Sequence, residues 1–311
     1  MNAIKYSVIV PVTERCDDLI KLYKEYSEAL GRITDSWEFI FVFDFSFSKQ
    51  FNQLKDFKKD EERLKLVRFG RDFGESVALT AGFSIAQGEY IFTLASYFQV
   101  HTSCFEQAIQ KLHAGVDMVI TQRFPRKDPF LNRLQSRFFH ALVGNMVNFK
   151  LHDMSCGFRG MKADIAKKLN LTGDFHRFLP ILAHKSGHTV GEIQISQREE
   201  DTKLRLRGIG TYVSRLIDIV SLFFLVRFTR KPLRFFGMVG ASMSGVGFLV
   251  CVVLAFLRLF TGYSLSDKPS LLLGVVLLVV GVQIISIGLI GELIIFVHAR
   301  EIQEYTIEEI V

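Results

Sequence analysis

The stretch YSVIVPV, residues 6–12, decides the fold. Its apolar residues follow one another without the alternation of a half-exposed strand, which predicts a β-strand covered on both faces. Similar runs recur further on, and helical patterns separate them at residues 17–30, 75–86 and 105–112; the runs are WEFIFVFD, LKLVRFG, EYIFTL and VDMVIT. Strands buried by intervening helices predict an α/β domain with an open, mostly parallel, Rossmann-like sheet.

Composition divides the 311 residues into a normally charged part and an apolar part. Hydrophobic residues make up 49% of the chain, and their excess follows about Arg234. The net charge of +6 raises the question of a nucleic-acid partner, but the basic residues cluster just before the apolar segments, as in RFTRKPLR at 227–234. We therefore expect a membrane surface, and no nucleic acid, as the partner of this basic cluster.

Two segments near the C-terminus, residues 235–257 and 271–291, contain no charged residue. Each is long enough to cross the hydrocarbon core, which takes about 20 helical residues. The preceding stretch has a shorter apolar run with charges on its other side, which predicts an interfacial amphipathic helix. The expected organisation is a cytoplasmic domain at 1–208, the interfacial helix at 209–232, two transmembrane helices within 233–300 and a cytoplasmic tail at 301–311.

Charges flanking the two spans predict the orientation of the chain. Basic residues precede the first span, and His298 and Arg300 follow the second, so both termini are expected in the cytoplasm. The N-terminus leads into a strand without a signal-peptide pattern, which agrees with this orientation. We expect a multi-pass protein of the inner (cytoplasmic) membrane.

Small residues recur at four-residue spacing in the first span, at Gly237, Ala241 and Gly245. Such a face lets helices approach closely, so it is expected to contact either the second span or another protomer in a homo-oligomer.

Ligands of open parallel sheets bind beyond the carboxyl ends of the strands. The informative positions are therefore residues 11–15, 44–46 and 95–99 and the surroundings of Arg123. Arg123 itself could supply charge to an anionic ligand or be a solvated loop arginine.

Five segments carry a family resemblance: SVIVPVTERCDDL, RDFGESVALTAGFSIAQGEYIFTL, DMSCGFRGMK, FLPILAHKSGHTVGEI and GVQIISIGLIGELI. Together they resemble the family 2 glycosyltransferases that load a sugar from a nucleotide onto a polyprenyl phosphate, including dolichol-phosphate mannose synthase-like, GtrB-like and ArnC-like enzymes. The resemblance implies a GT-A domain that binds a nucleotide sugar through Mg²⁺ or Mn²⁺ on an Asp-x-Asp motif and transfers the sugar to a lipid phosphate at the membrane.

The resemblance also implies roles for individual residues. Asp153 matches the family's base or phosphate-orienting aspartate, and Arg159 matches the arginine six residues later. The alternative for both is a purely structural role, as an ion pair in a surface turn. Nucleotide-sugar binding is implied for the matching positions Pro11, Asp44, Arg71 and Gln99, with a helix N-cap or turn acid as the alternative for Asp44. For Arg123, the same role is expected from its place after a strand.

Several positions depart from the family pattern. Ala95 and Tyr97 stand where the family has its two metal-binding aspartates, and Phe43 and Phe45 replace an aspartate and a glycine. The family's Asn-Glu becomes Glu14-Arg15, its Arg-Asn-x-Gly becomes RDFG, and its basic acceptor loop is replaced near TKLRLRG. We therefore expect a more apolar site without the family's metal.

Two functions remain open from the sequence. The first is a membrane-bound glycosyltransferase that uses a polyprenyl phosphate acceptor and an altered donor site. The alternative is a catalytically inactive relative that serves as a partner or lipid-binding subunit in glycan assembly.

Overall fold

The computed structural model describes residues 4–125, 151–169, 171, 175–202, 232–261 and 269–298. These residues belong to two compact units, one before residue 203 and one after residue 231. The predicted interfacial helix, the acceptor loop beyond Thr202 and the C-terminal tail lie outside the described residues.

The first unit is built on a seven-stranded sheet. Its strands are β1 (Tyr6–Val12), β2 (Trp37–Phe43), β3 (Leu64–Arg68), β4 (Tyr90–Thr93), β5 (Met118–Arg123), β6 (Arg159–Lys162) and β7 (Val190–Ile195). Its helices are α1 (Leu19–Gly31), α2 (Ser48–Phe57), α3 (Glu75–Ile85), α4 (Cys104–His113), α5 (Ala163–Lys168) and α6 (Leu179–Lys185).

The strand order is β3-β2-β1-β4-β6-β5-β7, with every pair parallel except those of β6. This confirms the predicted α/β class and the mostly parallel sheet. The antiparallel β6 was not predicted. Its first residue, Arg159, pairs with Thr93 of β4 and Ile120 of β5, so the start of β6 lies near the carboxyl ends of its neighbours.

Aromatic side chains fill the core beside β2. Phe39, Phe41 and Phe43 alternate along the strand onto one face, are fully buried, and have consecutive ring centroids 6.4 and 6.2 Å apart. Each such ring removes a large apolar surface from water. Phe43 therefore belongs to the core. The expectation that it makes the site more apolar is wrong for this residue.

The second unit is a pair of long helices, α7 (Pro232–Thr261) and α8 (Pro269–His298). Over Pro232–Phe260 and Pro269–Ile294 they are long and apolar enough to cross a membrane. They coincide with the two spans predicted from the sequence.

Glycines bring α7 and α8 into backbone contact. A Cβ added at Gly240 would lie 2.5 Å from the carbonyl oxygen of Gly281, and one at Gly247 would lie 2.6 Å from that of Gly274. A Cβ added at Gly245, in contrast, would meet no heavy atom within 4 Å. The predicted face at 237, 241 and 245 is therefore not the one that packs on the second span, and its contact with another protomer stays a prediction.

The two kinds of glycine position make a matched test of the helix pair. Gly247→Ala should lower the thermal stability of the detergent-solubilised protein, because the added methyl group meets backbone atoms of α8. Gly245→Ala should leave it unchanged or raise it, since alanine is the better helix former by about 1 kcal/mol. Thermal denaturation followed by circular dichroism measures both. Equal effects would contradict the packing described.

Candidate functional site

The loops after β1, β2, β3 and β4 lie at one edge of the sheet, where parallel strands end. The carboxyl ends of β5 and β7 lie at the same edge, together with the start of β6. The predicted site residues belong to these segments with two exceptions. Pro11 is a buried residue within β1, opposite Val42, and Asp153 lies in the segment before β6.

Two aspartates tie the loop after β2 to the loop after β3. The carboxylate of Asp44, itself 2% exposed, accepts the backbone N–H groups of Phe73 (3.0 Å) and Gly74 (3.1 Å). In return, Asp72 accepts the backbone N–H of Ser46 (2.9 Å) and its hydroxyl, and these bonds lower the pKa of Asp72. Both oxygens of Asp44 are thus engaged in holding the loops, and its predicted contact with a nucleotide stays a prediction.

Two exposed phenylalanines stand on these joined loops. Phe45 is 49% exposed and lies under the guanidinium of Arg68, 5.5 Å from its centroid. Phe73 is 43% exposed, and the guanidinium carbon of Arg71 lies 4.6 Å from its ring centroid. Exposed rings paired with cations offer flat apolar surfaces beside positive charge. The sequence identifies Phe45 as a departure from the family pattern, whereas it gives no signal for Phe73.

Ala95 and Tyr97, which match the family's two metal-binding aspartates, lie within a connected set of side chains. The hydroxyl of Tyr97 accepts a hydrogen bond from Nε2 of Gln99 (3.1 Å), and Oε1 of Gln99 accepts the N–H of Gly157 (2.6 Å). The guanidinium of Arg15 lies 4.5 Å from the ring centroid of Tyr97. Ala95 is buried, and a Cβ at Gly157 would lie 3.1 Å from the Ala95 methyl group.

The residues present do not fit a divalent metal. Mg²⁺ and Mn²⁺ prefer several oxygen ligands, carboxylates above all. A methyl group and a phenol replace the two carboxylates, and the described parts of the chain contain no group of three or more His, Cys, Asp or Glu side chains able to hold an ion. The nearby carboxylate of Asp17 is already bonded to Arg15 (3.2 Å) and to the N–H of Phe98 (3.1 Å).

A buried ion-pair network surrounds Arg123. Its Nε and Nη2 donate to the two oxygens of Asp153 (2.7 and 3.1 Å), and its Nη1 donates to Asp201 (2.8 Å). Ser155 accepts a further bond from Nη2 (2.6 Å). The side chains of Arg123 and Asp153 are 6% and 0% exposed, and the attraction of Asp153 keeps the pKa of Arg123 raised despite burial. Arg123 is therefore not a solvated loop arginine.

Arg159 does not pair with Asp153, so the alternative of a structural ion pair in a surface turn is wrong. Its guanidinium donates to the carbonyl oxygens of His176 (2.7 Å) and Met154 (3.2 Å). Burial lowers its pKa, and the charge of Glu75 opposes that shift. Arg159 thus holds two backbone segments, and Asp153 lies in a buried network, not in a surface turn.

His176 is a buried residue that the sequence did not single out. Its backbone N–H donates to Ser76 Oγ (3.1 Å). The Ser76 hydroxyl then donates its own proton to the ring Nδ1 of the same histidine (3.1 Å). Nε2 then carries the ring proton and faces Glu75 at 3.3 Å. Burial first, and then the charges of Arg159 and Arg177, lower the pKa of His176 to about 3, so the ring is neutral at pH 7. A lone histidine in FHRF gives no sequence signal for this cluster.

The buried network predicts a large loss of stability when one partner is neutralised. Asp153→Asn should lower the free energy of unfolding by about 3–5 kcal/mol, because Arg123 would remain buried without its main partner. Asp56→Asn, at a carboxylate 78% exposed, should change little. Urea denaturation followed through Trp37, the single tryptophan, measures both. A change below 1 kcal/mol for Asp153→Asn would contradict the network.

Acid should destabilise the first unit through His176. Unfolded histidine binds a proton near pH 6.5, whereas the folded residue does so only near pH 3. Unfolding therefore takes up a proton between these values, and stability is lost as the pH falls, by at most about 1.4 kcal/mol per pH unit.

The variant His176→Gln isolates this contribution. Urea denaturation at pH 7, 6 and 5 should show a shallower loss of stability in the variant than in the wild type. Parallel curves for the two proteins would mean that His176 does not titrate in this way.

Comparisons with known proteins identify the family and the fold. The model of the family "Glycosyl transferase family 2" matches residues 7–169. Dodecaprenyl-phosphate galacturonate synthase of Rhizobium johnstonii is 27% identical over 306 residues, which cover 97% of this chain and 90% of that protein. Undecaprenyl-phosphate 4-deoxy-4-formamido-L-arabinose transferase of Aeromonas hydrophila is 25% identical over 309 residues, covering 98% and 93%.

Among solved structures, glucosyl-3-phosphoglycerate synthase from Mycobacterium tuberculosis, in complex with Mn²⁺, UDP and phosphoglyceric acid, superposes with a TM-score of 0.55. The match covers 72% of this chain and 78% of that one at 11% identity, which shows the shared fold alone. With the family model matching more than half of the chain, the predicted GT-A fold and transferase class are confirmed, and the chain belongs to glycosyl transferase family 2.

Proposed function

We propose that this protein is a membrane-bound glycosyltransferase that moves a sugar from a nucleotide-sugar donor to a polyprenyl phosphate, of the undecaprenyl type, without a divalent metal. Two relatives aligned over nearly the whole chain are named as a dodecaprenyl-phosphate galacturonate synthase and an undecaprenyl-phosphate 4-deoxy-4-formamido-L-arabinose transferase. The observation that carries the proposal is the grouping of exposed aromatic rings and arginines at one sheet edge, beside positions that have lost their metal-binding carboxylates.

The donor would bind across the loops after β2, β3 and β4. Phe45 and Phe73 offer faces for the nucleobase, and Arg71, whose side chain lies over Phe73, offers charge to the diphosphate. Gln99 would act through Tyr97, which it holds in place. Pro11 and Asp44 would shape the floor and the loop edges of this site, since both are buried.

Asp153 is proposed as a positioning residue that fixes Arg123 at the end of β5. Both of its carboxylate oxygens accept hydrogen bonds from the Arg123 guanidinium, and its side chain is fully buried. Holding the segment before β6 against β5 therefore suits Asp153 better than proton abstraction. Arg159 is proposed as a positioning residue, because its bonds go to the backbone of residues 154 and 176.

The membrane segment supports the choice of a lipid acceptor. Two helices are long and apolar enough to span, and a polyprenyl phosphate is itself confined to the membrane. Anchoring the enzyme there raises the local concentration of the acceptor. We propose that the protein lies in the inner membrane with both termini in the cytoplasm, where the basic residues flanking the spans favour them.

An inactive role in glycan assembly is the second candidate. It is favoured by one observation: the polar groups of Asp44, Gln99 and Arg123 are already bonded to other groups of the protein. In that case the fold would serve to bind a lipid or another subunit.

Sugar transfer by the reconstituted full chain tests the proposal. Protein in vesicles containing undecaprenyl phosphate is offered UDP-, GDP- and CDP-sugars, and lipid-linked product is measured with EDTA or with Mn²⁺. We expect equal product in both conditions. Arg71→Gln should raise the KM for the donor about tenfold, because one charge-assisted bond is lost. Arg32→Gln, a surface arginine at the end of α1, is the matched control.

Absence of product with every donor, together with absence of nucleotide binding by the folded protein, would favour the inactive role instead.

A further inference from the structure

We propose that Arg15, stacked on Tyr97, is the cationic group that receives the donor's diphosphate in place of the family's metal ion. This inference rests on the proposed function and names the residue that makes a metal unnecessary. Arg15 follows the first strand, where the family pattern has an acidic residue, and Tyr97 stands at the second lost aspartate.

The ring of Tyr97 is a fixed platform for the guanidinium. Its hydroxyl is bonded to Gln99, which is in turn bonded to the backbone of Gly157. The Arg15 guanidinium carbon lies 4.5 Å from the ring centroid, well within the range of a cation-π contact. A charge is thus held over the side chain that replaced a metal ligand.

Arg15 retains donors for a ligand. Its Nη2 is bonded to Asp17 (3.2 Å) and to the carbonyl oxygen of Glu200 (3.3 Å). Within the described ranges, neither Nη1 nor Nε has a hydrogen-bond partner, and the side chain is 25% exposed. Nη2 belongs to both paired edges of the guanidinium and is engaged, so Arg15 offers a phosphate its positive charge and single hydrogen bonds from Nη1 and Nε.

The backbone around Arg15 is joined to the loop that carries Tyr97. The Ser96 hydroxyl donates to the carbonyl oxygen of Arg15, and the N–H of Asp17 donates to the carbonyl oxygen of Ser96 (3.0 Å). Asp17 also accepts the N–H of Phe98 (3.1 Å). The cation and its platform are therefore positioned together before any ligand arrives, which reduces the reorganisation that binding requires.

Formal charges agree with the exchange. Two aspartates and one dication sum to zero (−2 + 2), and Ala95 with Tyr97 and no ion also sum to zero. Losing carboxylates and metal together therefore leaves the formal charge of this position unchanged. Arg15 then adds one positive charge, partly offset by Asp17, beside the place where the diphosphate leaving group gathers negative charge.

The other arginines of the edge suit this role less well. Arg123 is 6% exposed and is bonded to two buried carboxylates. Arg68 and Arg71 lie over Phe45 and Phe73, on the loops after β2 and β3. Arg15 alone among these four contacts a residue of the former metal motif.

Calorimetric titration of the full chain in detergent with UDP, GDP and CDP tests the inference. In EDTA, the wild type should bind at least one of these nucleotides as tightly as in Mn²⁺. Arg15→Gln should weaken that binding at least tenfold, and Arg15→Lys should weaken it less, since the charge is kept but the planar guanidinium over Tyr97 is lost. Tyr97→Leu should weaken it severalfold, and Arg32→Gln should not change it.

Three results would overturn the inference. Wild-type binding that disappears in EDTA would mean that a metal is required after all, and unchanged affinity of folded Arg15→Gln would mean that Arg15 does not contact the ligand. The second result, with lipid-linked product still formed in EDTA, would leave the proposed function standing, whereas the first would also contradict its metal independence. No nucleotide binding by the folded wild type would overturn both. If Arg15→Gln does not fold, Tyr97→Leu carries the test, because it removes the platform and keeps the ion pair with Asp17.

Discussion

The ion pair between Arg123 and Asp153 is the constraint on which the site depends. A guanidinium that is almost fully buried at the end of β5 requires partners, and it finds them in the segment before β6 and in Asp201, beyond β7. Three stretches of chain that are distant in sequence are thereby fixed at one edge of the sheet. Gln99, bonded to Gly157, joins the end of β4 to the same group.

The positions that match the family's metal-binding aspartates are filled by other contacts. The sequence reveals that two carboxylates are missing, but only the structure reveals what the replacements contact. Tyr97 is bonded to Gln99 and covered by Arg15, so the change involves three loops and not one motif. The neighbouring aspartate, Asp17, is likewise engaged, through its ion pair with Arg15.

The continuous apolar runs allowed the strands β1 to β5 and the two long helices to be predicted, because burial on both faces imposes that pattern. The antiparallel β6 could not be predicted, since its four residues, RGMK, have a charge at each end and no periodicity. The partner of Asp153 was also inaccessible: the matching arginine six residues later is held by carbonyl groups, while the true partner lies 30 residues earlier. Short-range spacing identified the residues, but three-dimensional pairing required the sheet order.

The reciprocal aspartate bonds between the loops after β2 and β3 have a thermodynamic consequence for recognition. Because Asp44 and Asp72 each hold the opposite loop, Phe45 and Phe73 stand on a single joined support. The conformational entropy of these loops is lost during folding and not during binding. A planar ligand that meets the two rings would therefore bind with a smaller entropic penalty than flexible loops would impose, and discrimination among such ligands would depend on shape and stacking.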